Sequence, residues 1–198
     1  MLSEIRTLVS GGSSFERVTS AIEAFNWRPE IQAEQIPAPQ RIAPYAYALE
    51  AGVTVGTDDE AGNGRLIILH DPKGNQAWNG DYRCVSFARA DVGLEMVTDP
   101  LLAEVGWTWL TEALEGQNAS YHDASGTVTA VSSRSFGELA NEADRAEIEI
   151  RASWTPELKE MPDIVPHLTA WQALLCMTAG IPPLADGVVQ LTNRLERQ

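Results

Sequence analysis

The segment that most constrains the fold is DRAEIEIRASW, residues 144–154. In it Ala146, Ile148, Ile150 and Ala152 alternate with Arg145, Glu147, Glu149 and Arg151. Successive side chains of a strand point to opposite faces. A charged residue at every second position therefore predicts a strand buried on one face and wet on the other, as antiparallel sheets allow.

Further strand signals surround it. YAYALEAGV places Tyr45, Tyr47, Leu49, Ala51 and Val53 on one face and Glu50 on the other. GRLIILH reads as a strand buried on both faces, and DPKGN as the turn after it, with Pro72 and Gly74. DYRCVSFARA sets Arg83, Val85, Phe87 and Arg89 on one face. GTVTAVSSRSF reads as another strand, and Ile31–Ile36 as a short edge strand ended by Pro37.

Three helices interrupt these strands. The first begins near Ser14, with Phe15, Val18, Ile22 and Phe25 close to one face. The second, in TDPLLAEVGWTWLTEALEG, has Asp99 as N-cap, Pro100 in the first turn and Gly116 at the end. Leu102, Val105, Trp109, Leu110 and Ala113 centre its apolar arc, with Trp107 and Leu114 at one edge. The third carries Pro166 in its first turn, the only place a helix tolerates it, and ends at Gly180. Strand runs broken by single helices argue for α+β: a mainly antiparallel sheet of five to six strands with three main helices. Residues 1–12 read as a flexible tail, 13–183 as a single domain, and 184–198 as a C-terminal tail with a short helix.

Charge narrows the function. The 198-residue chain has a formal net charge of −14. Such a field repels phosphate backbones and anionic lipid, so no direct nucleic acid and no membrane are expected as partners. No window approaches the ~18 uninterrupted apolar residues of a membrane span. Cys84 and Cys176 lie in apolar contexts without metal or disulfide spacing, which reads as reduced core thiols. With no signal-peptide pattern at the N-terminus, a cytoplasmic location is expected.

Catalytic and cofactor motifs are missing from the sequence. It contains no HExxH, GxSxG, P-loop or GxGxxG, and its three histidines fit no zinc spacing. No metal, cofactor or catalytic residue is therefore expected. His70-Asp71 and His122-Asp123 are sequence neighbours, but neighbours on a strand face opposite ways. Asp58, Asp59 and Glu60 read as a solvated hairpin loop.

Two binding surfaces remain. Between Arg89 and Arg134 there is no Lys or Arg, while Asp91, Glu95, Asp99, Glu104, Glu112, Glu115 and Asp123 all fall there. This is either a solvated face or a docking surface for a protein with a basic surface, formed by Glu104, Trp107, Glu112 and Glu115. Alternatively, Arg83, Arg89 and Arg151 converge on the open sheet face to hold a small anionic ligand, with His70 or His122 moving a proton. The competing expectation pairs those arginines with carboxylates across strands. A protein-binding adaptor or chaperone-like regulator is the expectation these features favour, and an anion binder or enzyme is the alternative. A two-fold homodimer is compatible with either.

PAPQRIAPYAYAL, LHDPKGNQAWNGDYRCVSFARA, DPLLAEVGWTWLTEAL, AEIEIRASWTP and LTAWQALLCMTAGIPP, in this order, resemble an actinobacterial family of uncharacterised proteins, domain-of-unknown-function family three thousand. The resemblance runs from about residue 15 to 183. It implies an actinobacterial cytoplasmic protein and supplies no catalytic residues. It also implies an RNA-metabolism context, since members lie beside a gene for an RNase D-like exonuclease. The element order separately resembles the small acidic secretion-chaperone fold, from which the strand before Tyr45 departs. The proline-rich stretch at 37–44 lacks PxxP repetition and reads as a rigid connector over the sheet edge, with Arg41 as its unexplained residue.

Overall fold

The structure, a computed structural model, describes residues 2–56, 59–158 and 163–182. Six antiparallel strands form one sheet in the order β1-β2-β3-β4-β6-β5. They are β1 (Ile31–Ile36), β2 (Tyr45–Val55), β3 (Asp59–Asn75), β4 (Gly80–Asp91), β5 (Tyr121–Ser133) and β6 (Arg145–Pro156). The helices are α1 (Leu2–Glu23), the single turn α2 (Leu94–Val97), α3 (Leu102–Gly116) and α4 (Val165–Thr178). The expected α+β class and antiparallel sheet are what the chain forms.

The long helices among the described residues cover one face. On that face stand Tyr47, Leu49 and Val53 of β2, Leu66 and Ile68 of β3, Tyr82 of β4, and Ile148, Ile150 and Trp154 of β6, all buried. α4 is apolar nearly all round and buries Leu168, Trp171, Leu174 and Leu175, as a central helix must. Two glycines let helices approach the sheet. A Cβ on Gly64 would stand 2.4 Å from Leu175 Cδ2 of α4, and one on Gly106 of α3 would stand 3.1 Å from Val128 Cγ1.

Gly106 explains one correction. Val105, expected at the centre of the α3 arc, is 42% exposed. The buried stripe runs instead through Leu102, Gly106, Leu110, Ala113 and Leu114. The closest approach to the sheet is marked by a missing side chain, which an apolar count does not register.

Other boundaries also move. α1 begins at Leu2 rather than near Ser14. Paired glycines cost a helix about 1 kcal/mol each, which here does not break it. DPKGN is not the hairpin turn. β3 continues to Asn75, and the chain reverses at Gln76–Asn79, where Asn79 takes a left-handed φ of 52°. Asp71–Gly74 form an irregularity in the ladder instead, with the Lys73 N–H donating to Asp71 Oδ1 at 3.1 Å. Asp99 Oδ1 accepts from the Leu101 N–H at 2.8 Å, one turn before α3 begins. β5 starts at Tyr121, ahead of the expected Gly126, because a bulge between His122 and Ser125 hides its first residues. Of the acidic triplet, Glu60 belongs to β3 and Asp58 lies outside the described residues, as does the tail from 184 onward.

Candidate functional site: the helix-free sheet face

The register assigns residues to rows across the uncovered face. One row reads Glu34, Glu50, Arg65, Phe87, Arg151, Thr127 from β1 to β5. The neighbouring row towards Tyr45 reads Ile36, Ala48, Ile67, Val85, Ser153, Ser125. Right-handed twist makes such a sheet concave across its diagonal. Here it forms a trough of about 1440 Å³ whose lining includes Glu34, Glu50, Arg65, Phe87, Arg89 and Arg151. Ile67, Val85 and Phe87 form its half-buried apolar floor.

Fixed ion pairs rim this floor. Arg65 donates from NH2 to Glu50 Oε1 at 2.8 Å. Arg151 donates to Glu149 Oε2 at 2.8 Å, and its guanidinium carbon lies 5.7 Å from the Phe87 ring centroid. Arg89 bonds Glu147, and this bond raises its pKa further above the ordinary arginine value. The trough and its rim thus combine Arg65, Arg89 and Arg151 with Glu34, Glu50, Glu60, Glu147 and Glu149. Carboxylates are in excess.

Of the three arginines expected to grip an anion, two line the trough and each already holds a carboxylate. Arg83 lies beyond its end and is 9% exposed. NH1 donates to the Asp123 carbonyl and to Thr155 Oγ1, both at 2.9 Å. NH2 donates to Ser153 Oγ at 2.6 Å and Ser125 Oγ at 3.4 Å. Burial lowers its pKa. With four protein acceptors on its terminal nitrogens, Arg83 ties the β5 bulge to β4 and β6.

The acidic group lies on the other layer. Glu104, Glu112 and Glu115 are exposed on α3, and Trp107 is half-buried, its ring over Gly126 of β5. They do not join the arginines in one site.

The remaining candidates have structural surroundings. His70 is buried and stacks on Tyr82 with centroids 4.0 Å apart, while its Nδ1 meets the Asp81 carbonyl at 3.1 Å. His167 is buried and accepts the Trp154 indole N–H at Nδ1. Burial pulls its pKa down to about 4. His122 Nδ1 lies 3.1 Å from Asp123 Oδ2, and this hydrogen bond holds the Asp123 carboxyl below its ordinary value. Cys84 and Cys176 are free, buried thiols with pKa values raised by burial. Among the described residues, no group of three or more His, Cys, Asp or Glu side chains could hold a metal ion. No described helix is long and apolar enough to cross a membrane. Arg41 is exposed in a left-handed φ of 69°, a conformation that costs a non-glycine residue roughly 1–2 kcal/mol.

Arg65, Glu50 and Ile67 join the site without being among the residues expected from the sequence. The signal was present in NGRLI: Asn63, Arg65 and Ile67 share one strand face, so GRLIILH has a wet side that its apolar run conceals.

Fold and face define an α+β protein with one antiparallel sheet, helices on one side and a charged, apolar-floored trough on the other. The chain belongs to the family described as Protein of unknown function (DUF3000), which it matches over residues 12–189. No curated protein and no solved structure matches it.

Proposed function

We propose that the protein is a non-catalytic adaptor or chaperone-like regulator that binds another protein in the trough of the helix-free face. The observation that carries this reading is the apolar floor of Ile67, Val85 and Phe87, left uncovered within a rim of ordered ion pairs. An apolar centre inside a polar rim is the anatomy of a protein interface. The carboxylate excess of the rim favours a basic partner surface, as the net charge does. An anionic ligand is less well served, because Arg65, Arg89 and Arg151 are each neutralised by a glutamate. The reading includes an actinobacterial, cytoplasmic setting; two buried free thiols support a reducing compartment.

Affinity capture from the native cytoplasm, with three baits, tests this. A Phe87→Ser, Arg151→Ala bait should lose the stoichiometric partner held by the unmodified chain. A Glu104→Lys, Glu112→Lys, Glu115→Lys bait should keep it. The opposite pattern would move the docking surface to α3 and overturn the proposal.

A further inference from the structure

The two edges of the sheet differ in kind. β1 is six residues long, carries Glu34, and is followed at once by Pro37 and Pro39. Short length, charge and proline are the devices that keep an edge from pairing with another chain. β5, the other edge, is 13 residues long. Its residues 124–133, ASGTVTAVSS, contain no charge and no proline, and most are exposed. Pairing with β6 is regular from Ser125 to Ser133. Among the described residues, no backbone hydrogen bond outside the β5–β6 ladder involves this run. A long, neutral edge with β-branched residues at its centre is a template for another strand.

The ends of the run say which strand. Asp123 precedes it and Arg134 follows it, with side chains 54% and 69% exposed. Within the chain Asp123 Oδ2 meets His122 Nδ1 at 3.1 Å and Arg134 Nε donates to Asp144 Oδ2 at 2.9 Å, so each enters the seam from an existing, solvent-exposed pair. A parallel copy would set Asp123 against Asp123. An antiparallel copy brings Arg134 of each chain to Asp123 of the other. A two-fold axis normal to the sheet keeps both helix layers on one side and makes opposed residues share a face. With the axis at Thr129, Thr129 faces its own copy, Thr127 faces Val131, and Ser125 faces Ser133. Arg134 then falls opposite Ala124, next to Asp123. Thr–Thr and β-branched cross-strand pairs are favourable neighbours. Strand addition at a sheet edge is a common mode of association.

We propose that two copies of the chain associate through β5, antiparallel about a two-fold axis at Thr129, into one continuous sheet with an Asp123–Arg134 ion pair at each end of the seam. The seam adjoins the trough, whose lining includes Ser125, Gly126 and Thr127, but it uses the backbone edge of β5 rather than the floor of Ile67, Val85 and Phe87, and either assignment stands without the other.

Sedimentation equilibrium of the full chain should give twice 21.6 kDa. Thr129→Lys opposes two ammonium groups at the axis and should give a folded monomer by circular dichroism. Arg134→Glu should weaken the dimer about tenfold or more, and adding Asp123→Lys to it should recover most of the loss. Should a variant unfold, amide exchange of the unmodified chain decides. The alternate amides of residues 125–133 that point away from β6 should be slow when concentrated and fast on dilution, while those bonded to β6 stay slow in both. A monomer at the highest soluble concentration, or a dimer indifferent to Thr129→Lys, would overturn the proposal. So would β5 amides that slow only when a different protein is added.

Discussion

Arg151 on β6 and Phe87 on β4 are directly paired in register, and the guanidinium carbon lies 5.7 Å from the ring centroid. The ring is held in place from the solvent side by a charge that also bonds Glu149. No helix covers it. Phe87→Ser should therefore cost no more than about 1.5 kcal/mol, since only part of the ring leaves water on folding. Ile148→Ala, on the helix-covered face, should cost about 2–5 kcal/mol. Urea denaturation of both variants measures this. Equal losses would make the open face a second structural core.

Arg83 should behave as a staple. Arg83→Met keeps most of the stem but leaves the buried Thr155 Oγ1 and the part-buried Ser153 Oγ and Asp123 carbonyl without this donor. The expected loss is about 1–3 kcal/mol by urea denaturation, the cost of stranding a buried acceptor. A loss under about 0.5 kcal/mol, within the usual range for unremarkable surface sites, would contradict the assignment.

His167 supplies a pH dependence with a definite sign. Its folded pKa, about 4, lies below the ordinary value of 6.5. Between these values the unfolded chain binds a proton that the folded chain excludes, so stability falls as pH drops through that window. The cause is burial, opposed by the nearby Asp163 carboxylate. The fall from this residue amounts to about 3 kcal/mol in all. His167→Gln retains an acceptor for the Trp154 indole and should flatten this part of the profile, read from urea midpoints at pH 7, 6, 5 and 4.

Gly64 and α4 test the packing of the helix layer. Gly64→Ala would bring a methyl group within 2.4 Å of Leu175 Cδ2 and 2.7 Å of the Phe87 carbonyl. Because a backbone atom cannot move aside cheaply, destabilisation of about 1–3 kcal/mol is expected. Thermal unfolding against the unmodified chain measures it.

The strand of residues 145–156 was legible because its period-two pattern had no competing interpretation. Arg145, Glu147, Glu149 and Arg151 announced a wet face, from which Arg151 lines the trough and Glu147 and Glu149 bond its arginines. The floor was legible only in part. The alternation of Asn63, Arg65 and Ile67 marks a wet face of β3, but the apolar run around Ile67 masks it, and the pairing with Val85 is what places Ile67 in the trough. The role of Arg83 was likewise out of reach. Its acceptors come from β5 and β6, and their convergence depends on the bulge at His122–Ser125, which has no signature beyond a left-handed Asp123. Helix starts moved where a residue reads as the beginning of a helix: Asp99, which reads as the N-cap of α3, lies a turn before it, and α1 runs through the paired glycines before Ser14.

Amide exchange with and without the captured partner tests the central claim most directly, because it reports where the partner sits without altering a residue. Amides of residues 63–69 and 83–89, on β3 and β4, should exchange more slowly in the complex, while those of α3 from Glu104 to Glu115 stay unchanged. Slowing confined to α3, with the sheet amides untouched, would contradict the assignment of the helix-free face as the docking surface.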